Sequence, residues 1–338
     1  MADFDYVLPP DRIAQTPVHP RDAARLLVDR GPGRPPEHRL VRDLPSLLRP
    51  GDLLVVNDSR VIPARLPLHR VTGGAAEVLL LEPVDGALHV WEALVRPGRK
   101  LRAGEVLLTD TGTPLVEVGE HRRGGTREVR LVEPGDPVDL LDRHGVLPLP
   151  PYITARLDDP ERYQTVYAAR PGSVAAPTAG LHLTPAVLDA VAARGVPTVR
   201  VELVVGLDTF KPVTADDPAE HRMHTERYHV PAATLEACAA TRAAGGRVVA
   251  VGTTTVRALE SAALRGEPAG RTDLFIRRPY EWRLVDVLLT NFHLPRTTLL
   301  LMIDAFVGPR WRDLYETALA EGYRFLSFGD AMLLEQSA

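Results

Sequence analysis

The chain is almost free of cysteine. Cys238 is the only one in 338 residues, which excludes an intramolecular disulfide framework, a four-cysteine zinc site and an iron–sulfur cluster held by the chain itself. Long apolar runs are missing too. The longest, Leu299 to Val307, carries Asp304 and is too short to span a bilayer. The opening MADFDYVLPPDRIAQ has acidic residues early and no apolar stretch, so no secretory signal is visible and a cytoplasmic setting is expected. There is no GxGxxG after a strand, and no GxxxxGK followed by Ser or Thr, so the common nucleotide fingerprints are absent. A formal charge of −4 argues against a general nucleic-acid coating protein but permits a local basic surface.

What is present is ordinary globular composition, 45% hydrophobic and 25% charged, enough for a sizeable core. At roughly 100–200 residues per domain, two domains are expected. Short strands are predicted at Ala64–Arg70, Glu77–Glu82, His89–Val95, Glu105–Thr109, Pro114–Val118 and Thr126–Val132, separated by glycine-rich turns. Close spacing with no helical pattern between them indicates an antiparallel barrel or sandwich. The proline-rich GVLPLPPYI (Gly145–Ile153) then reads as a stiff connector and a domain boundary. Elsewhere strands alternate with helices. GDLLVVNDSR (Gly51–Arg60) is a buried strand with a polar end. Thr184 caps a helix with Pro185 at its first position, and a strand follows Gly195. Arg247–Leu264 and Leu284–Gly308 each read strand, polar turn, helix. The expected fold is therefore an α/β mixed sheet with flanking helices, interrupted by an inserted antiparallel β domain. Residues 1–63 and 151–338 form the discontinuous α/β catalytic domain, and 64–150 the insert.

In open α/β sheets ligands bind beyond the carboxyl ends of the strands, where helix N-termini offer free N–H groups to anions. Four polar clusters fall there: Asn57-Asp58-Ser59-Arg60, the turn Thr253-Thr254-Thr255, Thr290-Asn291-Phe292-His293, and SVAAPTAGLHLT (Ser173–Thr184). The last follows an expected strand at Tyr163–Ala168. Its small residues let backbone approach a ligand, Gly180 tolerates unusual φ, and His182 lies just before a helix start. Such a stretch is either a ligand loop or a tight loop packed under a neighbour. The threonine turn either binds a ligand or caps its helix. HRMHTERY (His221–Tyr228) places His221, His224 and Glu226 together. Without HExxH or a third convincing ligand, no metal is expected, and acid–base work for His224 and Glu226 competes with a solvated loop.

The phrases FDYVLPPDRIAQTPVHPRDAARLL, GDLLVVNDSRVIPARL, PLPPYI, RYQTVYA, GSVAAPTAGLHLT, HRMHTERY, VVAVGTTTVRALE, LLTNFHLPRTTLL and YRFLSFGDAMLL occur in one order from Phe4 to Leu334. In these the sequence resembles the S-adenosylmethionine:tRNA ribosyltransferase-isomerase family of queuosine biosynthesis. The resemblance implies an α/β domain carrying an inserted β-barrel. It also implies transfer and isomerisation of the ribosyl group of S-adenosylmethionine onto 7-aminomethyl-7-deazaguanine at the tRNA wobble position. Epoxyqueuosine-tRNA forms, and adenine and methionine leave. Two departures stand out. VVGLDTF (Val204–Phe210) has Val204 and Asp208 where the family carries histidine and glycine, and RRPY (Arg277–Tyr280) brings Arg278 into a loop that usually reads RPGY. A paralogue acting on another acceptor, or an inactive RNA-binding protein, is the alternative these leave open.

That chemistry needs a base at the ribose C5′ acidified by the sulfonium, deprotonation of the acceptor amine, and an acid for departing adenine, each transfer worth ~10²–10⁴ in rate. The candidates are Asp58, His182, His224 and Glu226, with Glu260 in reserve. Substrate contacts fall to Asn57, Thr178, Gly180, Thr253, Thr254 and Asn291. Arg60 and Arg257 meet a substrate carboxylate, a tRNA phosphate or a structural partner, and His293 meets adenine or holds a turn. For tRNA, Arg96, Arg99, Lys100, Arg122 and Arg123 on the β domain contact phosphates or are merely solvated hairpin tips. S-adenosylmethionine is a consumed co-substrate rather than a cofactor, and a monomer with no metal, redox group or membrane partner is expected. At least five of Asp58, His182, His224, Thr254, Arg257 and Asn291 should border one cleft near strand carboxyl ends, with the β domain at its mouth.

Overall fold

The computed structural model describes residues 1–98, 100–122, 125–205, 217–221, 223 and 225–336. The N-terminal piece contributes β1 (Arg25–Asp29), β2 (Glu37–Leu40), the short helix α1 (Leu44–Leu47), β3 (Leu53–Asn57) and β4 (Ser59–Val61). Six strands follow: β5 (Arg65–Arg70), β6 (Ala75–Pro83), β7 (Val90–Arg96), β8 (Glu105–Leu108), β9 (Pro114–His121) and β10 (Arg127–Leu131). They close as an antiparallel barrel in the order β10-β7-β6-β5-β8-β9. Closure leaves no unpaired edge. Inward residues such as Leu66, Val78, Trp91, Leu107, Val116 and Val129 fill the interior. These six elements lie within a few residues of the expected strands, because the alternation and the glycine turns specify them locally. The helix α2 (Pro137–His144), capped by Asp136, closes the insert.

The chain returns as β11 (Arg170–Ser173), α3 (Pro185–Ala193), β12 (Thr198–Leu203), β13 (Glu226–His229), α4 (Ala232–Ala243), β14 (Val248–Val251), α5 (Thr253–Arg265), β15 (Ala269–Thr272), β16 (Val287–Asn291), α6 (Thr298–Val307), α7 (Trp311–Ala320) and β17 (Ala331–Glu335). Nine strands form one sheet in the order β15-β13-β12-β3-β14-β16-β17-β1-β2. β12, β3, β14 and β16 run parallel, whereas β13, β15, β17 and β2 pair antiparallel with neighbours, making the sheet mixed.

Strand side chains alternate between faces. Leu53, Val55, Val248, Ala250 and Leu288 pack on one side with residues of α4 to α7; Leu54, Val56, Val249, Val251 and Leu289 pack on the other with α1 and α3. Both faces are covered, so β3, β14 and β16 read as continuous apolar runs. Full burial of each such side chain stabilises the fold by roughly 1.5–3 kcal/mol.

The expected strand at Tyr163–Ala168 does not form. Pro160 starts a 3-10 turn ending at Tyr163, and the Gln164 side chain pairs with both backbone groups of Val61. The segment is fixed by side chain to backbone bonds instead of a ladder. The strand that feeds the small-residue loop is β11, paired with β4.

Candidate active site

β3, β14 and β16 end side by side. Val56 pairs with Val251, which pairs with Leu289, so Asp58, Thr253 and Asn291 leave the sheet at one level. Here lies a cleft open to solvent. Its walls are the loop Ala176–Ala179, the start of α5 with Gly252, Thr253 and Thr254, the turn from Thr290 to Leu294, and Leu326-Ser327. Gly252 precedes α5 at φ +86°, a conformation that favours glycine, and borders the cleft with the first residues of the helix. The Thr254 hydroxyl is buried without a hydrogen-bond partner.

His182 lies behind this wall. Thr178 donates to Oδ1 of Asn291 at 2.9 Å, and Asn291 Nδ2 donates to His182 Nε2 at 3.0 Å and to the Asp330 carbonyl at 3.4 Å. Nε2 is thus an acceptor and the imidazole is neutral. Burial, with the charges of Arg324 and Arg21, pushes its pKa down to about 4. The ring borders a smaller recess with Arg21, Arg162 and Ser327. Burial also pushes His293, a cleft residue, down to about 3. Its Nε2 bonds the Thr290 hydroxyl at 3.1 Å.

Of the six groups expected on one cleft, Thr254 and Asn291 line it, and His182 reaches it through Asn291. Asp58 sits beneath β11, 3.6 Å from the Arg170 guanidinium. One of its oxygens is buried without a hydrogen bond, and burial lifts its carboxyl above the ordinary range against Arg170 and Arg200. Such a carboxyl suits proton transfer. Arg257 is committed elsewhere: its guanidinium forms a buried ion pair with Glu226 and donates to the Leu274 carbonyl. This pair joins α5 to β13 and gives both residues a structural occupation. His224 lies outside the described residues.

Other candidates also have structural occupations. Asn57 donates to the Leu203 carbonyl and accepts from the Ser59 and Leu203 amides, holding β3 to β12. Arg60 pairs with Glu161 at 2.6 Å. Glu260 is fully buried and accepts from Tyr280 and from the amides of Arg283, Leu284 and Val285. At Gly180 an added Cβ would lie 1.9 Å from the Tyr167 hydroxyl, so the glycine makes room for a side chain. On the barrel, Arg122 pairs with Glu128 at 2.5 Å, Arg96 lies 3.9 Å from Glu77, and Lys100 is exposed. Arg99 and Arg123 fall outside the described residues, as does Asp208. Val204 is buried, and Arg278 pairs with the buried Asp304 at 2.6 Å.

Two cleft residues escaped the residue-level reading. The Tyr152 and Ser327 hydroxyls meet at 2.7 Å across the cleft wall. Leu326, before Ser327, holds φ +70°, uncommon for a residue with a Cβ. Neither spacing nor residue type marks them; only position within PLPPYI and YRFLSFGDAMLL does.

Residues 1–334 match the family model described as queuosine biosynthesis protein. A relative from Symbiobacterium thermophilum is 50% identical over 99% of both chains, and one from Anaeromyxobacter dehalogenans is 51% identical over 99% of both; each is named S-adenosylmethionine:tRNA ribosyltransferase-isomerase. A crystal structure of the S-adenosylmethionine tRNA ribosyltransferase from Thermotoga maritima superposes with a TM-score of 0.57 at 39% identity, covering 98% of this chain and 99% of that one. The long motifs, the nine-stranded mixed sheet, the barrel and these full-length likenesses agree: the chain belongs to the queuosine biosynthesis protein family.

Proposed function

We propose that this protein is an S-adenosylmethionine:tRNA ribosyltransferase-isomerase. It transfers and isomerises the ribosyl group of S-adenosylmethionine onto 7-aminomethyl-7-deazaguanine at the tRNA wobble position, releasing adenine and methionine. The observation that supports this site is the cleft at the carboxyl ends of β14 and β16, lined by Thr178, Thr253, Thr254, Asn291 and His293. Neutral hydrogen-bonding groups suit a nucleoside whose sulfonium would be repelled by cations. The unpartnered Thr254 hydroxyl is a ready contact. His182, neutral and held through Asn291, and Asp58, whose carboxyl burial lifts, are the groups proposed for proton transfer. S-adenosylmethionine serves as a consumed co-substrate. No redox group is called on, because the substrates convert to product, adenine and methionine without an external oxidant or reductant, and no metal is part of the proposal. The protein acts as a cytoplasmic monomer; among the described residues no helix is long and apolar enough to cross a membrane.

Adenine release measured with and without precursor tRNA tests the reading. Release that requires the modified precursor supports it. Release with another acceptor points to a different transferase, and RNA binding without release points to an inactive binder.

A further inference from the structure

At its outer edge the sheet has one face without a core. On β12, β13 and β15 the side toward α4 and α5 carries Val201, Leu203, Tyr228 and Val230, all buried. By alternation the other side carries Arg200 and Glu202 from β12, Arg227 and His229 from β13, and Arg271 from β15. Apart from the small Ala269, opposite His229 in the β13–β15 register, no side chain on this side is apolar. Arg227 and Arg271 stand directly opposite in the β13–β15 register, where like charges destabilise a pair. Arg271 is relieved by a two-pronged bond to Glu82 of the barrel, at 2.5 and 2.9 Å. Arg170, from β11, is engaged with Asp58 and Glu202 and lies 3.2 Å from His229 Nδ1. The acids Asp58, Glu202 and Glu82 are therefore taken by Arg170 and Arg271. The guanidinium groups of the exposed Arg200 and Arg227 make no hydrogen bond or close ion pair among the described residues, although Arg200 also acts on the Asp58 charge at longer range.

We propose that this open face is a phosphate-binding track for the tRNA backbone, with Arg200 and Arg227 as its contacts; the identity of the RNA rests on the ribosyl-transfer reading. On the barrel, Arg65, Arg70 and Arg122 are spent on Glu77, Glu105 and Glu128. The track also leads to the right place. Val204 donates its amide to the Arg227 carbonyl, and the next residue, Val205, lines the cleft. RNA loops are read by splaying single bases out of the strand while phosphate contacts fix the register. A backbone laid across Arg200 and Arg227 beside the barrel would bring a loop nucleotide to the cleft end of β12.

Binding of precursor tRNA to the full chain, titrated against salt, tests the surface. Each phosphate contact contributes roughly 0.7–0.9 to the slope of log K against log salt. Arg200→Gln with Arg227→Gln should therefore flatten the slope by about 1.4–1.8 for two contacts, with melting temperature and the KM for S-adenosylmethionine unchanged in Arg227→Gln alone. Arg227→Lys, which keeps the charge, should keep the slope. An unchanged slope in the double variant, or a loss confined to Arg96→Gln with Lys100→Gln, overturns the track. Equal loss in Arg227→Lys and Arg227→Gln overturns it as well, since charge would not be the cause. If the parent binds precursor tRNA but releases no adenine, the catalytic reading fails while the track stands.

Discussion

Asn291 donates its amide to Nε2 of His182 at 3.0 Å while its own oxygen accepts from Thr178. This bond fixes a neutral imidazole with its proton on Nδ1. His182→Ala should then lower turnover by at least ~10² if the ring takes part in proton transfer. Asn291→Ala should also lower turnover, and the pair changed together should be no worse than His182→Ala alone, because coupled groups are not additive. A double variant much slower than either single one would mean that Asn291 binds substrate independently. Asn291→Asp adds a direct readout. A carboxylate beside the ring raises its pKa by about 1–3 units, visible by NMR titration of the imidazole.

Both buried histidines make stability depend on pH. The folded pKa falls to about 4 for His182 and about 3 for His293, against 6.5 in the unfolded chain. Below 6.5 the unfolded chain takes up protons that the folded chain refuses. The stabilisation is full above pH 6.5 and is lost as pH falls toward those lower values. At pH 5 the two together should cost about 4 kcal/mol relative to pH 7.5, at 1.36 kcal/mol per unit and group. Chemical denaturation at the two pH values measures it, and His293→Gln should remove about half of the difference. Equal pH sensitivity in parent and variant would show that His293 is protonated in the fold.

Glu226 can be assigned by the same kind of separation. It forms an ion pair with Arg257 in the interior, both side chains less than a tenth exposed. Removing one partner of a buried pair costs about 3–5 kcal/mol. Glu226→Gln should therefore lower the melting temperature, with turnover following the folded fraction. Replacing both residues by apolar ones should recover stability. A variant that melts like the parent yet fails to turn over would return Glu226 to acid–base work.

These outcomes show what the sequence could carry. Strands and helices near the cleft were legible because their signals are local: alternation and glycine turns for the barrel, Thr184 and Thr297 as caps for α3 and α6. Strand ends were legible as a place, and Thr254 and Asn291 line the cleft there. Partners were not legible. Nothing in HRMHTERY states that Glu226 meets Arg257, because that meeting depends on the packing of α5 against β13. Nor does NDSR reveal that Asn57 spends all its hydrogen bonds on backbone while Asp58, one residue on, keeps a bare oxygen. Polar residues at a strand end look alike until the neighbouring strand is in place.

Gly180 offers the sharpest separation of packing from function. In sequence it reads as a residue kept small for a ligand, yet a Cβ there would lie 1.9 Å from the Tyr167 hydroxyl and 3.0 Å from the Thr165 methyl. Tyr167 is buried, and its hydroxyl has no hydrogen-bond partner. Gly180→Ala should thus destabilise the loop by about 1–3 kcal/mol, the usual cost of overpacking, and carry His182, two residues on, out of register with Asn291. Tyr167→Phe alone removes an unsatisfied polar atom and should be close to neutral in stability. Combined, Tyr167→Phe should rescue part of the Gly180→Ala defect in melting temperature and in adenine release, because the closest clash is with the oxygen. The remaining contacts, at 3.0 Å to the Tyr167 ring carbon and the Thr165 methyl, should keep the rescue incomplete. If Gly180→Ala melts like the parent but weakens S-adenosylmethionine binding, the glycine serves the ligand after all. If Tyr167→Phe gives no rescue, the tyrosine hydroxyl is not what the glycine accommodates.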